Sequence, residues 1–262
     1  MNPFDELQAK VEHLISNVVS GPFIGPLTTY TPYILFILLL VVVIIFIAKR
    51  QLSLVPKNRF VGVVEFFVDF AQNNTAYGVM GPAAKKHVPF LLTLFIFILV
   101  SNLIGIIPGS RAATGTIGST LPLAAISFVY FTVYGIKERG GLHYLKSFAP
   151  SGLKPAPLAA FIWFLEFFSM ILRLLTLSVR LFANMLAGHL LLGTLAIMAY
   201  LFIQPIITAG ISAASIGFSL ASLLWMVLLV VMYALEVFVA CVQAYIFTLL
   251  SSVYVYLATE EH

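Results

Sequence analysis

Two very long apolar stretches, at 158–203 and 206–258, constrain this chain more than any other feature. At about 1.5 Å per residue, each would measure roughly 70 to 80 Å as one helix, whereas the hydrocarbon core of a bilayer is about 30 Å thick. Each stretch must therefore be broken, strongly tilted or laid nearly along the membrane. The pattern predicts a long tilted antiparallel hairpin. With 61% hydrophobic and 9% charged residues, the chain is expected to be an all-α integral membrane protein.

Shorter apolar runs predict three further spans, which bring the total to about five membrane-crossing helices. These spans lie at 30–50, 88–108 and 119–137. The segment at 58–80 is too polar for a span, and it is predicted to be an amphipathic surface helix or a helix packed between others.

The remaining features complete the predicted organisation. Residues 1–29 contain an N-terminal amphipathic segment, which is either an interfacial helix or a short packed lid. The whole chain, 1–262, is predicted to form a single membrane domain. Cys241 is the only cysteine, which excludes an internal disulfide or a cysteine-based metal site, and no metal or cofactor is expected.

Lysine and arginine are distributed unequally between the two sides of the predicted spans. The positive-inside rule places the richer side toward the cytoplasm or its equivalent. Counting spans from that side puts the N-terminus outside and the residues 260–262 inside. The net charge of +4 therefore reflects membrane orientation and not a nucleic-acid patch. The cations on the richer side are Lys49, Arg50, Lys57, Arg59, Lys85, Lys86, Lys137, Arg139, Lys146 and Lys154.

One fixed cation, Arg180, lies inside the first long stretch. An arginine at mid-membrane costs from about 3 to more than 10 kcal/mol by different measures, so a function explains Arg180 better than a snorkelling or packing role. Glu166, Arg173 and Arg180 recur every seven residues along one helical stripe, and Asn184 extends that stripe by one turn. Glu166 and Arg173 could be a simple charge pair, and Asn184 could merely bridge helices.

The second long stretch contains Glu236 and Gln243, which share a helical face. In an antiparallel hairpin, residues lie at one depth where their numbers have a constant sum. Arg180 with Gln243, and His189 with Glu236, both meet this condition to within about two residues, and the implied turn near residue 212 falls among small residues. His189 points away from the Arg180 face, so a straight helix cannot make both contacts equally direct. His189 could be an ordinary core residue, and Gln243 a bridge between helices.

Two runs of residues carry a family resemblance: Ser178-Val-Arg-Leu-Phe-Ala-Asn-Met-Leu-Ala-Gly-His189, and Leu235-Glu-Val-Phe-Val-Ala-Cys-Val-Gln-Ala-Tyr-Ile-Phe-Thr-Leu-Leu250. Together with the closing Glu-Glu-His, they closely resemble subunit a of the F-type ATP synthases. The resemblance is specific over about residues 155–262. Ser101–Pro108 is similar to the family's third-helix pattern, and residues 1–85 match only in layout.

The resemblance implies a non-catalytic stator subunit that lies against a rotating ring of c subunits and provides two offset proton half-channels. Protons would enter past Glu236 and His189, ride on a ring carboxylate and leave past Glu166, with Arg180 dividing the two pathways. The implied partners are the c-subunit ring, the peripheral-stalk b subunits, the other F-type ATP synthase subunits and the lipid bilayer. The residues implied in proton translocation are Arg180, Glu236, His189, Gln243, Asn184, Glu166 and Arg173.

Two departures from the family pattern affect the expected entrance. Some members carry acidic residues in the outer loop, whereas this chain has no Asp or Glu between residues 70 and 137, so the entrance must rely on Glu236, His189, water and hydroxyls. Some members also exchange the positions of the acid and the imidazole. Such an exchange keeps one of each, which fits two residues that share one task.

A self-contained proton-coupled secondary transporter is the alternative function, in which Arg180 would bind an anionic substrate. The repeated halves that many transporters have are not visible in this sequence. The predicted location is the bacterial cytoplasmic (inner) membrane, as a multi-pass protein, with the mitochondrial inner membrane as the alternative.

Overall fold

A computed structural model describes residues 9–16, 23–24, 27–28, 30–51, 59–107, 110, 112–140, 156–209 and 213–259. The helices in chain order are α1 (9–16), α2 (Tyr30–Gln51), α3 (Arg59–Ala71), α4 (Gly78–Met80), α5 (Val88–Gly105), α6 (Ile117–Arg139), α7 (Ala156–Ala209) and α8 (Ala213–Thr259). One antiparallel pair of two-residue strands, β1 (Phe23–Ile24) and β2 (Leu27–Thr28), precedes α2. The predicted all-α membrane architecture is confirmed, and the small β pair is an addition to it.

Four helices in the described part of the chain are long and apolar enough to cross a membrane: α5, α6, α7 and α8. Helix α2 has 22 residues and is about 33 Å long. Within α2, Thr31–Phe46 is apolar, but this stretch is shorter than the four candidate spans. The predicted spans at 30–50 and 119–137 lie within α2 and α6, and the predicted span at 88–108 begins with α5 but extends past its end at Gly105.

The structure corrects the boundaries of the long helices. The prediction ended the first long stretch at residue 203, but α7 continues through Pro205 to Ala209. Helices in membranes tolerate proline because neighbouring groups can satisfy the freed backbone carbonyl. The turn predicted near residue 212 falls at 210–212, which lies outside the described residues. Residues 1–8 and 260–262 also lie outside them.

The predicted helix at 58–80 is interrupted. Helix α3 ends at Ala71, and a π-helical turn follows at Gln72–Tyr77. The hydroxyl of Thr75 donates a hydrogen bond to the Ala71 carbonyl inside this turn. Gly81 then ends α4 with a positive φ of 56°, a conformation that a residue without a Cβ adopts at little cost.

Helix α1 packs against α7. The side chain of Leu14 fills the space that a Cβ at Gly193 would occupy. Four residues earlier on α1, the Lys10 ammonium lies 5.0 Å from the centre of the Tyr200 ring. These contacts favour the packed alternative for the N-terminal segment.

Helix α5 lies at the centre of the packing. Its residues Phe95 and Ile98 are almost fully buried, and they belong to the same apolar cluster as Ile37 of α2 and Phe247 of α8. Small hydroxyl residues join the helices elsewhere, as is typical of bundles in membranes. Helices α6 and α8, for example, are linked by a hydrogen bond of 2.9 Å from the Ser127 hydroxyl to Ser251.

Cations gather where α5 begins and where α6 and α8 end, and we call this region the basic end. Lys86 forms an ion pair of 3.8 Å with Glu138 of α6. Arg139 donates a hydrogen bond of 3.0 Å to the Leu257 carbonyl of α8. The ends of three helices that are distant in sequence therefore meet here.

His87 is buried at the basic end, just before α5. Its Nδ1 atom lies 3.0 Å from the Tyr130 hydroxyl, and its ring meets the Tyr134 ring edge to face at 4.7 Å. Burial lowers the pKa of His87 below its ordinary value of 6.5, and nearby Lys86 lowers it further while Glu138 opposes the shift. The neutral imidazole is therefore the form that this packing favours.

This lowered pKa predicts that acid weakens the basic end. Below about pH 6.5 the unfolded chain binds a proton at His87 more readily than the folded chain does, so the stability that is present above this pH falls as the pH decreases. We expect thermal release of the subunit from the purified complex to occur at a lower temperature at pH 5 than at pH 7.5. His87→Gln should reduce this dependence, and His13→Gln, at an exposed position on α1, should not. An unchanged pH dependence in His87→Gln would contradict the assignment.

Candidate functional site

Helices α7 and α8 form the predicted antiparallel pair. Near the basic end, the Arg173 guanidinium lies 5.5 Å from the centre of the Tyr254 ring. At the opposite end, the rings of Phe202 and Trp225 are 6.3 Å apart. Residue numbers therefore rise along α7 as those of its neighbours on α8 fall, which confirms the predicted antiparallel pairing.

The Glu236 side chain packs against Gly188 of α7. It is only 7% exposed although it lies on a long apolar helix. Its carboxyl group occupies the space next to Gly188 where a Cβ would otherwise lie. His189, half-buried, follows Gly188 directly in the chain. The structure thus places the predicted acid within one residue of the predicted imidazole along the hairpin.

Two further polar residues, Gln243 and Asn184, lie closer to the basic end than Glu236 and His189. Gln243 lies two turns from Glu236 on the same face of α8 and is 6% exposed. Asn184 lies one turn of α7 from Gly188, on the side toward the basic end. The Asn184 Nδ2 group is buried and has no hydrogen-bond partner among the residues described. A buried donor without a partner costs about 1 to 3 kcal/mol, so this atom needs a water molecule or another group that binds there.

Arg180 lies on a different face from these residues. Leu177, Leu181 and Met185 form part of the buried side of α7, whereas Arg180 and its neighbour Val179 are exposed. Arg180 shares approximate depth with Gln243, but Gln243 is buried in the bundle. Gly188 faces the Glu236 carboxyl of α8, whereas Arg180 is exposed, so α7 presents these two positions on different sides.

Glu166 and Arg173 form the charge pair that their spacing suggests. The Arg173 guanidinium donates a hydrogen bond of 3.4 Å to the Glu166 carboxylate. Both side chains are partly exposed, at 32% for Arg173 and 46% for Glu166, so solvent screens the pair and its contribution to stability is small. The pair lies on α7 near the basic end, where Arg173 also contacts the Tyr254 ring.

A buried polar cluster beside the site was missed by the sequence reasoning. The Thr114 hydroxyl donates a hydrogen bond of 2.7 Å to Asn102, and the Asn102 amide approaches the Ala240 carbonyl at 3.4 Å. Ala240 lies one turn from Glu236 on α8. A separate bond of 3.1 Å joins the buried hydroxyls of Ser178 and Thr120. An asparagine inside an apolar span was the signal that could have identified this cluster.

Comparison with known proteins places this arrangement in a family. The family model of the ATP synthase A chain matches residues 31–256. The chain belongs to the ATP synthase subunit a family. Subunit a of Chlorobium phaeobacteroides is 32% identical over 271 residues, which cover 99% of this chain and 72% of the relative. Subunit a of Beijerinckia indica is 33% identical, with 92% and 91% covered, and that of a Methylobacterium species is 37% identical, with 82% and 80% covered.

Membership of the subunit a family confirms the function that the sequence resemblance implied. The chain is the proton-channel stator subunit of the membrane sector of ATP synthase, and it translocates protons without catalysing a reaction itself. It is a multi-pass membrane protein with bacterial relatives. The alternative of a self-contained transporter is therefore set aside.

Proposed function

We propose that this subunit carries protons along two half-channels that meet a ring of c subunits at different depths, and that Arg180 keeps the half-channels apart. The observation that carries the proposal is the division of polar groups between two faces. Glu236 and Gln243 are buried between helices, whereas Arg180 is exposed on an apolar surface of α7. A fixed cation on a surface that faces hydrocarbon is costly unless a partner of opposite charge meets it.

The inlet half-channel runs along the α7–α8 interface. Protons reach the acid and imidazole at Glu236 and His189, and then pass toward Gln243 and Asn184. Seven residues separate Glu236 from Gln243, which is about 10 Å along the helix axis. Hydrogen-bonded water must complete a path of this length, and the unpartnered Nδ2 group of Asn184 offers one place for it.

The hydroxyl and amide cluster of Asn102 and Thr114 borders the same interface. The Asn102 amide lies at the Ala240 carbonyl, between the levels of Glu236 and Gln243. These groups donate and accept hydrogen bonds but do not carry charge. They support the expectation that hydroxyls help to line an inlet that lacks acidic residues in its loop.

Arg180 acts on the ring carboxylate by electrostatics. A unit charge about 4 Å from a carboxylate contributes roughly 4 kcal/mol at an effective dielectric constant near 20. That is enough to favour the ionised carboxylate and the release of its proton by about three powers of ten. The same permanent charge repels a hydrated proton that would cross directly from one half-channel to the other.

The outlet half-channel is assigned to the basic end of α7. Glu166 is a partly exposed carboxylate whose partner, Arg173, keeps it oriented. A proton released near Arg180 would leave past this pair. The basic end then faces the cytoplasm of a bacterial cell, in agreement with the positive-inside rule. The c-subunit ring and the b subunits of the peripheral stalk are the proposed partners.

The experiment on the inlet replaces Glu236 with glutamine in the whole complex. The amide keeps the size of the side chain but cannot take up and release a proton, so we expect proton pumping to fall on the order of a hundredfold while assembly is retained. Glu138→Gln is the matched control, because that carboxylate pairs with Lys86 at the basic end, away from the inlet. Pumping is measured in membrane vesicles by quenching of a pH-sensitive dye. Normal pumping in Glu236→Gln would remove Glu236 from the pathway.

A further inference from the structure

A groove of about 480 Å³ runs along the membrane-facing side of α6. Its walls are Ala125, Ile126, Val129, Tyr130, Val133 and Tyr134. These residues extend over about 15 Å of the helix, from its middle toward the basic end. Ile126, Val129 and Val133 are each more than half exposed, so the groove is open to the hydrocarbon of one leaflet.

Aromatic packing holds one wall of the groove in place. The rings of Tyr130 and Phe90 are stacked, with centres 3.7 Å apart and planes 7° apart. His87 contacts both tyrosines, through the 3.0 Å distance to the Tyr130 hydroxyl and the edge-to-face contact with Tyr134. The groove is therefore formed before any ligand binds.

A cation lies just beyond the groove at the basic end. Lys137 is exposed one turn beyond Val133, and its ammonium group lies 6.0 Å from the centre of the Tyr134 ring. A polar pocket of about 210 Å³ adjoins this region and is lined in part by Lys86, His87 and Glu138. An apolar groove that leads to an ammonium group at the membrane surface complements an amphiphile with an anionic head.

We propose that this groove is a specific site for an anionic phospholipid of the leaflet at the basic end, with an acyl chain between the tyrosine and valine walls and the phosphate at Lys137. The composition of the groove favours a lipid over a transmembrane helix of another subunit. Helix contacts in membranes are enriched in glycine, alanine and serine, whereas this surface presents valine, isoleucine and tyrosine with a single alanine.

Photolabelling of the intact complex tests the site. The complex is placed in phosphatidylcholine nanodiscs that contain a small fraction of phosphatidylglycerol with a photoreactive group in its acyl chain. The comparison uses a phosphatidylcholine probe with the same reactive chain. We expect the phosphatidylglycerol probe to label the α6 peptide several times more strongly than its zwitterionic counterpart.

Two variants make the result specific. Lys137→Gln should remove most of the preference for the anionic probe, and Val129→Trp should block labelling of the groove by both probes. Lys85→Gln is the matched control, since Lys85 is an exposed lysine at the same end but does not line the groove. ATP synthesis by each variant complex verifies assembly.

Two outcomes would overturn the proposal. Equal labelling by both probes, unaffected by Lys137→Gln, would mean that α6 contacts only bulk lipid. Absence of lipid labelling at α6, together with a crosslink from a photoreactive residue placed at 129 to another subunit, would mean that a protein helix occupies the groove.

Discussion

Replacing Arg180 with alanine is expected to abolish proton-driven ATP synthesis while the complex still assembles. Arg180 is exposed on α7 and makes no packing contribution comparable to that of buried Leu177 or Leu181, so its loss leaves the bundle intact. In the proposed mechanism, however, the ring carboxylate loses the charge that favours release of its proton. The electrostatic contribution of about 4 kcal/mol corresponds to a decrease of roughly a thousandfold in that step.

Arg180→Lys tests whether positive charge alone suffices. Lysine can lose its proton in an apolar setting, and its ammonium group lacks the two-pronged geometry that guanidinium offers a carboxylate. We therefore expect Arg180→Lys to remain strongly impaired. ATP synthesis in energised vesicles is the measurement, with detergent purification as the assembly control. Synthesis at the normal rate in Arg180→Ala would rule out the proposed role.

Replacing Gly188 with alanine is expected to reduce proton pumping ten- to a hundredfold with little loss of stability. The carboxyl group of Glu236 occupies the position that the new methyl group needs. Because this carboxyl is the free end of a flexible side chain, it can move aside without disturbing the backbone. A displacement of about 1 Å from a productive geometry can decrease a rate by about two orders of magnitude.

The matched control for this change is Gly62→Ala. Gly62 also lies in a helix, but no atom lies within 4 Å of the position of its added Cβ, so pumping should be normal. The double variant Gly188→Ala/Glu236→Asp shortens the acid by one methylene and should pump better than Gly188→Ala alone. If the effects of the two substitutions on proton pumping are additive, Gly188 and Glu236 do not act through their contact.

The depth of the site residues could be predicted from the sequence, because each helical residue advances the chain by a fixed rise. That regularity is why Glu236 was expected beside His189, and the structure places its carboxyl at the adjacent Gly188. The contact with Gly188 itself could not be predicted, since a glycine has no side chain to mark its role. The direction of Arg180 also depends on the rotation of α7 in the bundle, which packing at Leu181 and Met185 determines.

The contact of Asn102 with Thr114 in the buried cluster could not be predicted from the sequence pattern. The two residues are twelve positions apart and meet only because the chain turns back after α5. Gly105 permits this close approach, since a Cβ there would overlap with Ala112. The interruption of the 58–80 helix is likewise a local change to π-helical hydrogen bonding at Gln72–Tyr77, which hydrophobic periodicity does not report.

Proton conduction through a ring that cannot rotate tests most directly whether Arg180 separates two half-channels. The membrane sector is reconstituted without its catalytic head, and the ring is crosslinked to the stator. With Arg180 present, a locked ring should conduct no protons, because each proton must ride on the ring. With Arg180→Ala, we expect protons to leak across the locked ring. A locked Arg180→Ala complex that conducts no more than its Arg180 counterpart would contradict the claim that this charge keeps the pathways apart.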